Sequence, residues 1–255
     1  MTDELKKLVQ QQFARNAESY ATSATHGRGA SLGRAVELAR PQAADRALDV
    51  ATAAGHTAMA LAPHVQSVVG LDLTAAMFVP AARLARERGL TNITWLAGDV
   101  EKMPLAGGSF EIVVCRISLH HWPDAAGGLR EMARVAKAGA RVVLVDNVVP
   151  DDAHLAEFVN RFEQVRDPSH HWCYSLRELQ AMFESAGLRI EAREQADKPI
   201  GFDDWVERMQ VPVPLIADLK RMLQTPEAEA TLRPFITAGV PHFNLVEVII
   251  TAVKA

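Results

Sequence analysis

The chain has 255 residues, of which 49% are hydrophobic and 23% charged, with a formal net charge of −4 at pH 7. That length accommodates one large α/β domain, or one with a small cap. Scattered Lys and Arg with a mild negative balance exclude a basic nucleic-acid footprint, and no apolar run approaches the roughly 18 to 20 residues of a membrane-spanning helix.

The opening stretch, MTDELKKLVQQQFARN, is polar and helical, unlike the charged start and apolar core of a signal peptide. Helices are expected around residues 5–20 and 29–38, ahead of the first strand and able to fold over its edge. Two cysteines, Cys115 in an apolar strand and Cys173 between Trp172 and Tyr174, sit in unrelated contexts, which fits a reducing cytoplasm without a structural disulfide.

The middle of the chain then alternates between two periods. Apolar, β-branched runs occur at RALDVA, SVVGLDL, NITWLAG, FEIVVCRI and ARVVLVDNVV. Helical spacing separates them at HTAMALAPH, AAMFVPAARLARERG and DAAGGLREMARVAKAG. Continuous apolar strands alternating with helices predict a parallel sheet covered on both faces, the doubly wound α/β architecture. After Pro150 the pattern changes. DDAHLAEFVNRFEQVRDPSHH predicts an amphipathic helix ending before Pro168. SLRELQAMFESAGL predicts a second, with Ser175 as N-cap, Glu178 completing a capping box and Gly187 as the stop. RIEAREQAD and FNLVEVIITAVKA read as two further strands, with helical FDDWVERM and PEAEATLRPFI between them.

In an open parallel sheet, ligands lie outside the carboxyl ends of the strands where the strand order reverses. The first strand-to-helix turn, within LDVATAAGHTAMAL, carries Asp49, Ala51, Ala53 and Gly55. The second strand ends in Asp72, roughly 20 residues on, the spacing at which a carboxylate takes both ribose hydroxyls. Asp99 and Val100 follow the third strand, and CRISLHHWPD closes the fourth. Four consecutive strand ends thus offer polar groups to one elongated ligand.

Taken in order, LDVATAAGHTA, VVGLDLT, LAGDVEKMPLAGGSFEIVVCR, LHHWPD and LREMARVAKAGARVVLVD resemble the class I S-adenosylmethionine-dependent methyltransferases, within them the ubiquinone/menaquinone C-methyltransferase (type 11) group. The resemblance covers about residues 10–150 and extends loosely beyond. It implies a mostly parallel Rossmann-like sheet with a final antiparallel strand, N-terminal lid helices (1–40), a cofactor-binding half (41–150) and a substrate side with a small helical cap (151–255), all one domain. By the same resemblance S-adenosylmethionine is the cofactor. Asp49 and the turn through Gly55 hold its amino-acid end, Asp72 the ribose, and Asp99 the adenine amino group. Val100 packs on the ring, Leu73 and Met77 flank the adenosine, the backbone near Arg116 faces the methionine part, and Phe13 or Tyr20 closes over it.

One departure stands out. The family usually has glycine where Ala51 and Ala53 stand. If φ is positive there, alanine costs on the order of 1 kcal/mol; if negative, its methyl only crowds the ligand. Weakened rather than abolished binding is expected.

Each signal also has a plainer explanation. Asp72 also reads as a helix N-cap and Asp99 as a turn carboxylate, and Asp49 in an apolar strand must be paired if buried. His120 and His121 end the fourth strand. Either is a general base toward a phenol, amine or activated carbon, or both cap loop carbonyls. His26, His170, His171 and His242 are weaker candidates, the 170–171 pair being expected in solvent. No Cys/His cluster has zinc spacing, so no metal is implied. Phe158, Phe162, Trp172, Tyr174, Phe202 and Trp205 are expected to wall the substrate side, favouring a hydrophobic small molecule, aromatic or quinone-like, methylated by in-line displacement. Neither nucleic acid nor stable membrane insertion is expected, and a homodimer stays open. The alternative is a methyltransferase-like fold acting as a non-methylating enzyme or binding module. A nicotinamide-dependent dehydrogenase ranks last, for want of an intact glycine fingerprint.

Overall fold

The computed structural model describes residues 2–22, 27 and 29–255. Its frame is a sheet in the order β3-β2-β1-β4-β5-β8-β6, with a short β7 on β8. The strands are β1 (Arg46–Val50), β2 (Ser67–Asp72), β3 (Ile93–Ala97), β4 (Phe110–Arg116), β5 (Ala136–Val148), β6 (Leu188–Gly201), β7 (Phe235–Thr237) and β8 (Val240–Lys254). β1 pairs in parallel with β2 and with β4, Ala47 standing opposite Val68 and Ile112. Their apolar runs are buried on both faces, as parallel strands under helices must be. β8 pairs antiparallel with both β5 and β6, so the expected parallel core and antiparallel end are both present. β6 is the edge strand at the antiparallel end, and its exposed charged side chains (Arg189, Glu191, Arg193) discourage further pairing.

The helices are α1 (Thr2–Arg15), α2 (Ala17–Thr22), α3 (Ala30–Ala39), α4 (His56–Leu61), α5 (Phe78–Glu87), α6 (Ala125–Val135), α7 (Ala153–Arg166), α8 (Leu176–Ser185), α9 (Phe202–Arg208), α10 (Val213–Met222) and α11 (Pro226–Thr231). One core cluster lies between the sheet and α6 and α8, another on the opposite face against α3 and α4. A third fills the cap formed by α2, α7, α9 and α10. The capping box Ser175–Glu178 starts α8 as expected, and Gly187, at φ 72°, ends it.

Three boundaries differ from expectation. The helix expected through AKAG stops at Val135, because Ala136 already pairs with Phe110 of β4, and Gly139 at φ 76° carries the strand through an irregular register. Residues 213–222 form a helix that periodicity did not single out, begun by Pro212 and Pro214. The stretch after α11 turns into the β7–β8 hairpin at Ala238 and Gly239, both with positive φ as a two-residue hairpin turn requires.

Candidate active site

The strand order reverses between β1 and β4, and the cleft opens at their carboxyl ends. Asp49 lies inside β1 at 2% exposure. Its Oδ2 accepts hydrogen bonds from the Thr52 hydroxyl at 2.5 Å and the Ala58 amide at 2.9 Å, the pairing that a buried carboxylate needs. Burial outweighs these bonds and pushes its pKa up to about 6.

The turn that follows enters the left-handed region three times, at Ala51 (φ 54°), Ala53 (φ 47°) and Gly55 (φ 77°). The alanines therefore carry backbone strain of about 1 kcal/mol each. Gly55 is under a second constraint. A Cβ there would collide with Cη2 of Trp95, and a Cβ added at Gly70 would stand 2.7 Å from Cζ3 of the same indole. Glycine thus remains where packing forbids a methyl, and alanine occupies positions where φ alone is costly. Ala51, Ala53 and Ala54 line a solvent-open cleft together with Asp72 and His120. Gly55 and the fully buried Met77 lie behind its wall.

Asp72 ends β2 on the same cleft. Its Oδ2 accepts from the Ala53 amide and its Oδ1 from the Thr74 amide, both at 2.8 Å, so this one carboxylate joins the first turn to the second. Burial raises its pKa to about 6 against those bonds. Each oxygen keeps a lone pair for a ligand hydroxyl. Thr74 Oγ1, beside it, is buried without a partner among the described residues.

Leu73, Asp99 and Val100 continue the wall. Asp99 Oδ2 accepts from Lys6 Nζ at 2.8 Å and Oδ1 from the Glu101 amide at 2.9 Å. Lys6 also pairs with Glu101. Burial opposes its charge, but the two carboxylates hold its pKa above the ordinary value. α1 is thereby tied across this end of the cleft, with Gln10 Nε2 donating to the Leu73 carbonyl at 3.0 Å. Phe13 and Tyr20 lie together over it, ring centres 5.0 Å apart, and Phe13 meets His121 edge-on at 5.1 Å.

The fourth wall begins at a strained residue. Ile117 has φ 56°, a true outlier for a β-branched side chain. Its amide is held by the Val145 carbonyl at 2.7 Å. The bend sets the buried Arg116 against Thr57 Oγ1 at 3.1 Å and aims the Ser118 and His120 amides at Asp146 Oδ2, at 3.2 and 3.3 Å. Asp146 Oδ1 lies 2.6 Å from His120 Nδ1. Burial disfavours the imidazolium, but the Asp146 carboxylate prevails, so the pKa of His120 lies above the ordinary 6.5 and that of Asp146 below 3.8. His120 Nε2 has no hydrogen-bond partner among the described residues, and the side chain lines the cleft.

His121 differs. Its Nδ1 faces the Ser169 carbonyl at 2.9 Å, and burial plus the neighbouring His120, 4.3 Å away between ring centres, lower its pKa to about 4. It is the neutral member of the pair. His170, expected in solvent, is buried with Nε2 at 2.8 Å from Asn160 Oδ1, because the loop after α7 folds under the histidine pair. His171 and His242 are partly exposed, and His26 lies outside the described residues. Among the described residues no group of three or more His, Cys, Asp or Glu could hold a metal ion.

At the cap end, only Trp205 of the six expected aromatics lines the cleft. Phe162 and Phe202 are fully buried beneath it, Phe162 stacking on Trp205 at 5.0 Å, since α7 and α9 use these rings as their mutual core. Ile200 and Leu245 add apolar wall; Glu163, Arg166, Lys198 and Arg208 add charge. Asp146 and these four escaped sequence reasoning. For Asp146 a signal existed, an acid inside the apolar run VLVDN, as for Asp49.

Carboxylates at successive strand ends over one cleft crossed by α1, in a sheet whose order reverses there, define a doubly wound α/β protein. The methyltransferase domain family model matches residues 48–144. YcgJ of Bacillus subtilis (strain 168), named as an uncharacterized methyltransferase, is 39% identical over 200 residues, covering 78% of this chain and 79% of YcgJ. The YcgJ crystal structure superimposes with a TM-score of 0.84 at 36% identity, over 88% of this chain and 97% of that one. A demethylmenaquinone methyltransferase of Roseiflexus sp. (strain RS-1) is 31% identical over 159 residues, 62% of this chain and 60% of that protein. The chain belongs to the S-adenosylmethionine-dependent methyltransferases.

Proposed function

We propose that this enzyme methylates a hydrophobic small molecule with an aromatic or quinone-like ring, and that His120 acts as general base. The observation that carries the assignment is the His120–Asp146 pair, 2.6 Å apart, opening on the same cleft as Asp72 and the alanine turn. The buried Asp72, its remaining lone pairs and the unpartnered Thr74 hydroxyl fit the sugar of S-adenosylmethionine. Asp49, the turn and Arg116 would hold its amino-acid end, and Asp99 and Val100 its base. When bound, that cofactor supplies a methyl group on a sulfonium.

The chain's own residues supply the rest. Asp146 fixes His120 with Nδ1–H toward the carboxylate, so that Nε2 faces the cleft as acceptor for the proton of a phenol, enol or activated carbon. The neutral His121 adds no second positive charge beside the sulfonium. Phe13, Tyr20 and Trp205 exclude water and favour a flat apolar acceptor. The demethylmenaquinone methyltransferase relative supports a quinone-like ring.

The test is calorimetry with S-adenosylmethionine and S-adenosylhomocysteine, followed by labelled-methyl transfer to a set of phenols and hydroquinones. His120→Gln is expected to lower turnover by about 100-fold or more while the S-adenosylhomocysteine Kd stays within about twofold. Binding of neither ligand at about 1 mM would favour the second reading, a non-methylating protein on this fold, to which the strained turn gives its support.

A further inference from the structure

The cap end of the cleft contains charges that methyl transfer to a neutral ring leaves unused. Arg208, at the end of α9, lines the cleft half-buried and makes no hydrogen bond or ion pair with any described residue. Arg166, on the same wall, has a side chain only 11% exposed. Its Nε donates to the Trp205 carbonyl at 3.1 Å, its guanidinium lies 4.9 Å from the indole centre, and its Nη1 stays 4.0 Å from Glu163 Oε2, too far for a hydrogen bond.

Asp204, on the same helix, and Glu163 act on Arg208 through space without a hydrogen bond or ion pair to it, while two other acids are committed elsewhere. Asp167 Oδ1 accepts from the Ser169 amide at 2.9 Å and hydroxyl at 2.6 Å. Glu247 pairs with Lys198 at 2.9 Å. Glu163 Oε1, also lining this cleft, is buried without a partner among the described residues. Burial raises the pKa of Glu163 against the opposing pull of Arg166 and His120. Two guanidiniums facing one partly desolvated space repel each other unless an anion joins them, and their planar forks match a carboxylate or phosphate.

We propose that the acceptor is an acid: its carboxylate or phosphate seats against Arg208 and Arg166 at the cap end, with its ring directed toward His120. The proposal rests on the methyl-transfer reading and narrows its substrate class. A neutral quinone would leave Arg208 without a hydrogen-bonded counter-charge.

The test begins by titrating S-adenosylhomocysteine into the protein, and then titrates the loaded protein with phenylacetate, 4-hydroxybenzoate and phenyl phosphate alongside phenylacetamide, 4-hydroxybenzamide and phenol. At least one acid is expected to bind about tenfold or more tighter than its neutral partner, whichever anion it carries. Arg208→Gln should remove that preference and leave both the neutral ligands and S-adenosylhomocysteine within about twofold. Arg208→Lys, keeping the charge but not the fork, should fall between. Arg208 holds no other described residue in place, so the variant keeps its fold, which the unchanged S-adenosylhomocysteine affinity verifies. S-adenosylhomocysteine binding with equal affinity for acids and neutrals, no acid binding up to about 10 mM, or an Arg208→Gln preference equal to wild type overturns the anion subsite alone. Failure to bind S-adenosylhomocysteine overturns the methyl-transfer reading and the subsite with it.

Discussion

Replacing Ala51 and Ala53 together by glycine relieves two left-handed alanines, at φ 54° and 47°. Each stores about 1 kcal/mol relative to glycine, while each new glycine gives back about 0.4–1 kcal/mol by loosening the unfolded chain. The double variant should therefore gain at most about 1 kcal/mol, a rise in Tm of up to about 4 °C for a chain of this length. Ala54 provides the control. It has no positive φ and is 1% exposed in the cap core, so Ala54→Gly should lower Tm through lost packing and added chain entropy. Gly55→Ala should be the worst of the series, costing about 2–4 kcal/mol from φ strain and collision with Trp95. Removing the two methyls from the cleft wall should also tighten S-adenosylhomocysteine, by up to about tenfold for 1.4 kcal/mol. Differential scanning calorimetry and isothermal titration measure both quantities. A lower Tm for the double glycine variant would refute the strain argument. Weaker ligand binding would show that the turn is adapted to its alanines.

Asp72→Ala should weaken S-adenosylhomocysteine at least about tenfold; an unchanged Kd would remove Asp72 from the site. Because the Asp72 pKa is raised to about 6, wild-type affinity should fall as pH drops through that value and the carboxylate loses an acceptor, a limb absent in Asp72→Asn. If His120 is the base it must be neutral to act, so kcat/KM should rise with pH through a pKa above 6.5; Asp146→Asn should move that limb down, and a pH profile identical to wild type would exclude the pairing. The same pair stabilises the fold fully below the unfolded histidine pKa and loses its contribution as pH rises through the folded value. Asp146 adds the opposite limit, losing its contribution as pH falls through its depressed pKa, so Asp146→Asn should cost most between the ordinary carboxylate and histidine values of 3.8 and 6.5, about 3–5 kcal/mol for a broken buried pair, and least at alkaline pH. Lys6→Met should release α1 from Asp99 and Glu101 and speed S-adenosylhomocysteine dissociation about two- to fivefold, with a smaller difference from wild type in high salt; identical off-rates would show that α1 is not a lid.

Much of the frame was legible because its signals are local. Five apolar runs separated by 3.6-period stretches demand a covered parallel sheet, and Asp49, Asp72 and Asp99 at consecutive strand tips follow from that sheet alone. The capping box at Ser175 and the stop at Gly187 need only their own neighbours in the chain. What the tertiary structure decided are matters of partner and dihedral angle. The letters at Ala51 and Ala53 do not state φ, and only the Trp95 indole lying across Gly55 explains which glycine of the turn had to stay. His120 and His121 are adjacent and chemically identical, yet Asp146, from a strand 26 residues away, holds one as a cation-prone base while burial keeps its neighbour neutral. Arg166 and Arg208 come from separate helices of the cap, and their sequence spacing says nothing of a shared cleft. Periodicity reports which face of an element is buried; which charges meet across that face depends on how distant segments pack.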